Sequence, residues 1–221
     1  MVLTMTDFTR EREAMVERQL RRRGIVESSI LDAFSAVPRE QFVADAYAHL
    51  AYGDHPLPIE AEQTISQPYI VALMIQAAGI GPGAAVLEVG AGSGYAAAVI
   101  SRIAGSVVAM ERRPELVAVA RERLARFGYD NIEIVEGDGT RGCAERAPFD
   151  AILVAASGSH APESLIAQLA PGGRLVIPIG DPQGAQELIK VTKQDDGILR
   201  QESLGGVRFV PLIGEEGWND A

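Results

Sequence analysis

Nine residues constrain this chain more than any others. Val86-Leu87-Glu88-Val89-Gly90-Ala91-Gly92-Ser93-Gly94 is an apolar run that enters a glycine-rich turn and leaves it through the alanine-rich segment YAAAVISRIAG. A strand, a glycine turn and a helix in that order form the opening of a βαβ unit. In an open α/β sheet, ligands lie at the carboxyl end of such a strand, where the strand order reverses. The same rhythm surrounds it. IVALMIQAAGI reads as a helix closed by Gly79, and SVVAMER (106–112), NIEIVEG, DAILVAAS and RLVIPIG read as strands. Between them, Pro114 opens a helix that Gly128 closes, and Pro162 opens another that PGG (171–173) closes. Strands alternating with helices of about 10 to 15 residues predict a parallel sheet covered on both faces.

The flanks break this rhythm. Residues 9–23 predict an amphipathic helix with Met15, Val16 and Leu20 inside, Gly24 as its C′ residue and Arg21-Arg22-Arg23 as a solvated last turn. A second helix over 28–37 is expected to bury Ile30, Leu31, Phe34 and Val37 and to stop at Pro38; a short third follows near 39–48. Prolines and a glycine between Gly53 and Pro58 predict irregular chain. After Gly180, ELIKVTKQ and ILRQES flank Asp195-Asp196-Gly197, a hairpin signal, and VRFVPL (207–212) reads as one more strand. The acidic tail EEGWNDA is expected to fray, with Trp218 as its candidate anchor. We expect one domain over 1–221: a helical cap and acceptor segment (1–68), a ligand-binding core (69–180) and a C-terminal hairpin, strand and tail (181–221).

Composition limits the partners. The 221 residues carry a formal charge of −10, and residues 1–40 are balanced at seven acids and seven bases, so the acidic excess lies beyond them. That argues against a nucleic-acid binder, which needs a basic surface. One cysteine, Cys143, excludes an internal disulfide and a CxxC motif. The segment MVLTMTDFTREREAM has no long apolar core and no stretch reaches 18 apolar residues, so a soluble cytoplasmic protein without a membrane span is expected, and a monomer. His49, His55 and His160 have no metal-ligand spacing, and GSHAP is not the nucleophile elbow of a hydrolase, so no metal is expected.

The glycine turn chooses among ligands. Tyr95 stands where the dinucleotide fingerprint needs its third glycine, so the spacing is GxGxG. Glu88, two residues before Gly90, would repel a pyrophosphate. An acidic strand end suits a ligand with a cationic amino-acid portion and no phosphate, and S-adenosylmethionine is such a ligand. Glu111, ending the next strand, is placed to accept both ribose hydroxyls. Asp138, in Gly137-Asp138-Gly139, is placed to meet the adenine. The expected donor site therefore comprises Glu88, Gly90, Gly92, Gly94, Glu111, Arg112, Asp138 and Gly139, with S-adenosylhomocysteine as the product left there.

Gln63-Thr64-Ile65-Ser66-Gln67-Pro68, about 20 residues before the glycine strand, resembles the signature of the protein-L-isoaspartate O-methyltransferase family. The likeness runs through MVERQLRRRGI, VPREQFV, AYGDHPLPI, LEVGAGSGY, GDGTRG, APFDAILVAA, LAPGGRLVIPIG and VRFVPL, nearly the whole chain. It implies a class I, Rossmann-like S-adenosylmethionine-dependent methyltransferase sheet with an N-terminal helical cap and extra C-terminal strands. It implies repair as well: methylation of the free carboxylate of L-isoaspartyl residues in damaged proteins and peptides, with ring closure of the ester to a succinimide. In that family the serine of TISQP, here Ser66, is assigned as catalytic.

The residues agree with that chemistry. A carboxylate is ionised at neutral pH (its ordinary pKa is about 3.9) and needs no base; it must be held in line with the methyl group in a dry site. Thr64 and Ser66 can hold its idle oxygen, whereas an arginine clamp would also stabilise the ground state. Ser66 can equally serve as N-cap of the helix beginning at Pro68. Ile65, Gln67, Val207, Phe209, Val210 and Leu212 are the expected acceptor contacts, VRFVPL offering its backbone to an extended peptide. Two departures bear on the acceptor: Ile59-Glu60-Ala61-Glu62 replaces a glycine-rich IGxGQ stretch, and Ser157-Gly158-Ser159-His160 lengthens an alanine-rich turn. Other acceptors on the same fold, and a nonenzymatic donor-binding protein, are the alternatives.

Overall fold

The computed structural model describes residues 5–220; residues 1–4 and 221, which the expected domain includes, lie outside them. The first helix begins before residue 9. α1 (Met5–Met15) continues through a π-helical turn, Val16–Leu20, and a 3-10 turn, Arg21–Arg23, to Gly24 at φ 93°. Met15, Val16 and Leu20 are buried, as their spacing predicts. Arg21 and Arg22 meet Glu17 and Arg23 meets Asp54, so the cationic turn is a set of surface ion pairs. α2 (Ser28–Ala36) buries Ile30, Leu31 and Phe34 and gives way at Val37, before Pro38.

The helix expected near 39–48 is two 3-10 turns, Arg39–Phe42 and Asp45–Leu50, separated by extended Val43 and Ala44. Phe42 and Val43 are both buried across this break. Within the stretch expected to be irregular, β1 (Leu57–Pro58) pairs antiparallel with β2 (Thr64–Ile65). The connection holds Ala61 and Glu62 at φ 54° and 58°.

α3 (Pro68–Ala78) leads into the sheet, which alternates as expected: β3 (Ala85–Val89), α4 (Tyr95–Ser101), β4 (Ser106–Glu111), α5 (Pro114–Arg126), β5 (Ile132–Glu136), β6 (Phe149–Val154) and α6 (Glu163–Ala167). β7 (Leu169–Gly180), β8 (Gln186–Lys193) and β9 (Leu199–Val207) complete seven strands in the order β5-β4-β3-β6-β7-β8-β9. β3 pairs in parallel with β4 and with β6, so the strand order reverses at β3, where the glycine turn lies. β8 pairs antiparallel with β7 and, through the Asp195-Asp196-Gly197 hairpin, with β9. Side chains alternate between two apolar layers. Val107, Ala109, Ala151 and Leu153 join the cap and α3–α5, while Val108, Met110, Ile152 and Val154 pack with Leu165 of α6.

Two expectations fail. Pro171-Gly172-Gly173 does not close α6, which ends at Gln168; it bulges within β7, where the register jumps from Phe149↔Leu169 to Ala151↔Arg174. VRFVPL is not a strand beyond Val207. The buried Gln186 side chain bonds both the N–H and the C=O of Phe209, taking the place of a ladder, and Pro211 has no N–H to give. The chain instead crosses the carboxyl ends of β6 and β7. The tail does not fray through Asp220: Trp218 Nε1 donates to the Ser157 carbonyl at 2.9 Å, and Arg112 pairs with Asp220. Among the described residues no helix is long and apolar enough to cross a membrane.

Candidate active site

The glycine turn is shaped by its neighbours. Gly90 and Gly94 hold φ near 90° and 85°, which side-chain-bearing residues rarely adopt. A Cβ on Gly94 would meet Ala120 and Leu124 of α5 only at ordinary contact distance, so its positive φ, not crowding, favours glycine there. Gly94 serves as the left-handed start of α4, just before Tyr95 of the cavity wall. Gly90 and Gly92 do line the wall of a cavity of about 720 Å³ at the carboxyl ends of β3 and β4.

Two buried acids face this cavity from adjacent strands. Glu111 accepts hydrogen bonds from the N–H groups of Gly92 and Arg113, both at 3.0 Å, so its carboxylate also staples the glycine turn to the end of β4. Glu88 is 2% exposed, and its Oε2 has no partner although it borders the cavity. Burial first, and then the neighbouring Glu111 charge, push its pKa up to about 8, against a hydrogen bond from the Ala97 backbone. A buried carboxylate oxygen left without a donor is the counterpart of a ligand ammonium. Apolar Met110 and Leu116, with Gly139, supply a surface of the kind a flat heterocycle needs. This donor set fits S-adenosylmethionine.

Arg112 also lines the cavity, its guanidinium turned to Asp220. Asp138 does not line it. Although burial opposes this, hydrogen bonds from the Glu215 and Thr140 N–H groups hold its carboxyl below the ordinary range, and the Thr140 hydroxyl adds a third. These bonds tie it to the tail, and the neighbouring Gly139 stands on the cavity wall.

A second cavity of about 460 Å³ opens beside the first. Thr64 and Ser66 lie on the wall that the two share, together with Ala155, Pro182, Val210 and Pro211. The hydroxyls of Thr64 and Ser66 have no hydrogen-bond partner among the described residues. Ser66 does not cap α3: Gln67 is the N-cap, with Pro68 at the first helical position. Of the expected acceptor contacts, Gln67, Val207, Phe209 and Val210 line the second cavity, whereas Ile65 and Leu212 line only the first. Part of the VRFVPL backbone is already engaged within the chain. Phe209 is engaged by Gln186, the Val210 carbonyl accepts from Ser157 N–H, and Leu212 N–H donates to the Ser157 carbonyl. The only charged lining residue of the second cavity is Arg208, which is exposed.

Both sequence departures have structural places. Glu60 forms a bidentate pair with Arg123 of α5 at 2.7 and 3.3 Å, and Glu62 is exposed; neither lines a cavity. Ser157 is fully buried and bonds Val210, Leu212, Trp218 and Gly180, so the longer turn clamps the closing segment. Ser159 and His160 are exposed and bonded only to each other's side chains. Tyr95, Gln183, Trp218 and Asn219 line the donor cavity without having been assigned to it. Only Trp218 carried a signal, as the one tryptophan of an acidic tail. Among the described residues no cluster of three His, Cys, Asp or Glu side chains is arranged to hold a metal ion.

Comparison with known proteins matches this architecture. The family model described as protein-L-isoaspartate(D-aspartate) O-methyltransferase covers residues 10–217. A protein-L-isoaspartate O-methyltransferase of Methylorubrum extorquens is 55% identical over 94% of this chain and 90% of its own length. One of Pelobacter propionicus is 53% identical over 94% and 92%. A solved protein-L-isoaspartate O-methyltransferase aligns with a TM-score of 0.86 at 33% identity, over 93% of this chain and 67% of its own. The putative protein-L-isoaspartate O-methyltransferase of Plasmodium falciparum, in complex with S-adenosyl-L-homocysteine, aligns at 0.79 and 29%, over 91% and 98%. With a family model spanning nearly its whole length and relatives at more than half identity, the chain belongs to the protein-L-isoaspartate(D-aspartate) O-methyltransferase family.

Proposed function

We propose that the wall shared by the two cavities is where this chain performs the reaction of its family, methyl transfer from S-adenosylmethionine to the free carboxylate of L-isoaspartyl residues in damaged proteins and peptides. The observation that carries this reading is the position of Thr64 and Ser66, two unpartnered hydroxyls between a cavity with buried acids and a second, open groove. When bound, S-adenosylmethionine supplies an electrophilic methyl group that an ionised carboxylate accepts without a base.

The chain's own residues then have distinct tasks. Glu88 takes the ammonium and Glu111 the ribose hydroxyls, while Gly90, Gly92 and Gly139 let the backbone come close and Arg112 holds the tail across the opening. Ser66 and Thr64 donate to the idle acceptor oxygen, leaving the other free to attack. They contribute by orientation, and no covalent intermediate on Ser66 is required. Gln67, Val207, Phe209 and Val210 line the path of the acceptor chain, and Ile65 and Leu212 support the donor side. The closed segment 208–220 keeps water from the reacting atoms. We assign this work to a cytoplasmic monomer: both cavities are completed by residues of one chain, and the acidic surface offers no basic track for nucleic acid.

Ser66→Ala tests the assignment. Turnover of an isoaspartyl peptide is expected to fall by about 10- to 100-fold, the scale of one lost orienting hydrogen bond, with S-adenosylhomocysteine affinity unchanged. Full turnover would remove Ser66 from the reaction.

A further inference from the structure

Arg39 is 0% exposed and heads the large side chains that the fold buries completely. It sits in the helical cap, on the 3-10 turn Arg39–Phe42, far in sequence from the donor core. Its Nε donates to the Ala51 carbonyl and its Nη2 to the Ser66 carbonyl, each at 2.8 Å. The guanidinium carbon lies 4.8 Å from the ring centroid of Tyr95, which lines the donor cavity. Nη1 has no partner, and among the described residues no carboxylate pairs with the charge.

Packing alone does not call for an arginine here. A buried cation without a counter-ion carries a desolvation cost that an apolar side chain filling this volume would not. What arginine adds is a rigid planar fork that can reach two carbonyls at fixed angles while its face lies on an aromatic ring. The two carbonyls belong to the cap and to the residue whose hydroxyl faces both cavities. We infer that Arg39 is a positioning residue for methyl transfer: its guanidinium fixes the Ser66 main chain against the cap and the Tyr95 ring, and so sets where the Ser66 hydroxyl stands between donor and acceptor. A displacement of about 1 Å at an orienting group costs on the order of 100-fold in rate. The inference rests on the reading that Ser66 orients the acceptor.

The test is Arg39→Lys, which keeps the charge but loses the rigid planar fork that holds both carbonyls at fixed angles, made alone and in the Ser66→Ala background. Alone, it is expected to leave S-adenosylhomocysteine affinity within about twofold of wild type and to lower turnover at saturating peptide by about tenfold. With Ser66 already alanine, the same substitution is expected to lower turnover by less than about twofold more, because both changes act through one hydroxyl. Unchanged turnover in folded Arg39→Lys overturns the inference. So does a tenfold loss repeated in the Ser66→Ala background, or an affinity for S-adenosylhomocysteine that falls as far as turnover. If Ser66→Ala alone retains full turnover, the reading of Ser66 fails first; if it is slow and the cycle is additive, only the role of Arg39 fails. Should the lysine variant not fold, nuclear magnetic resonance of the unmodified protein decides. Slowly exchanging Arg39 Nη protons coupled to the Ser66 carbonyl support the contact, and exchange as fast as that of exposed arginines overturns it.

Discussion

Glu88→Gln turns the burial of one carboxyl group into a measurable slope. Glu88 is enclosed, its Oε2 lacks a donor, and burial together with Glu111 raises its pKa from 4.5 to about 8. Between those two values the folded, ligand-free protein holds a proton that the unfolded chain has released. Stability therefore falls as pH rises across that window, and it is greatest below the unfolded value. Each pH unit of the window corresponds to about 1.4 kcal/mol, which gives on the order of 4 to 5 kcal/mol over its whole width. Glutamine keeps the shape, cannot ionise and does not repel Glu111. In urea unfolding of the ligand-free proteins from about pH 5 to about pH 8.5, the variant is expected to gain on wild type by about 3 to 4 kcal/mol. Binding should show the converse. Pairing with the ligand ammonium requires the carboxylate, so wild-type affinity for S-adenosylhomocysteine rises with pH toward 8. The variant binds about 10- to 100-fold more weakly with a flat profile, the scale of one lost charged hydrogen bond. A gap between the two unfolding curves that is constant within about 0.5 kcal/mol across the range would refute the desolvation argument, because Glu88 would then be ionised in the folded protein already.

The tail and the β1–β2 connection give two more tests. Trp218→Ala removes the bond to the Ser157 carbonyl and part of the donor wall, so S-adenosylhomocysteine affinity measured by calorimetry is expected to drop about tenfold; unchanged affinity would show that the tail does not close the site. Glu62→Gly relieves a left-handed residue, worth about 1 to 2 kcal/mol, at a glycine entropy cost of about 0.5 to 1 kcal/mol. The net gain of about 0.5 to 1 kcal/mol is readable as a higher urea midpoint, and a lower midpoint would refute the strain argument.

Local and distant causes divide the fold between them. The glycine turn, the strands around it and the two acids at their ends were legible because each depends on neighbours a few residues away: apolar period, glycine where φ is positive, proline at a helix entry. TISQP was legible as a motif, though its place between two cavities was not, since that depends on the pairing of β1 with β2 and on the segments that fold against it. Local signals misled where a distant partner decided the outcome. VRFVPL has strand composition, yet the Gln186 side chain takes both backbone groups of Phe209. Asp138 follows β5 and is expected at an adenine, and nothing local in the sequence shows that its carboxylate also holds residue 215 of the tail. Glu60 reads in sequence as a threat to an anionic acceptor, yet Arg123 of α5 stands against it.

Taken alone, the sequence determines the βα alternation, the apolar layers, the choice of a phosphate-free nucleoside ligand and the family to which the chain belongs. The tertiary structure alone decides which carboxylates remain without a partner for a ligand, which are already spent on the fold, and how the cap reaches Ser66 through Arg39. The reason is physical: periodicity and turn chemistry act within a few residues along the chain, whereas desolvation and hydrogen-bond satisfaction depend on whatever the folded chain brings alongside.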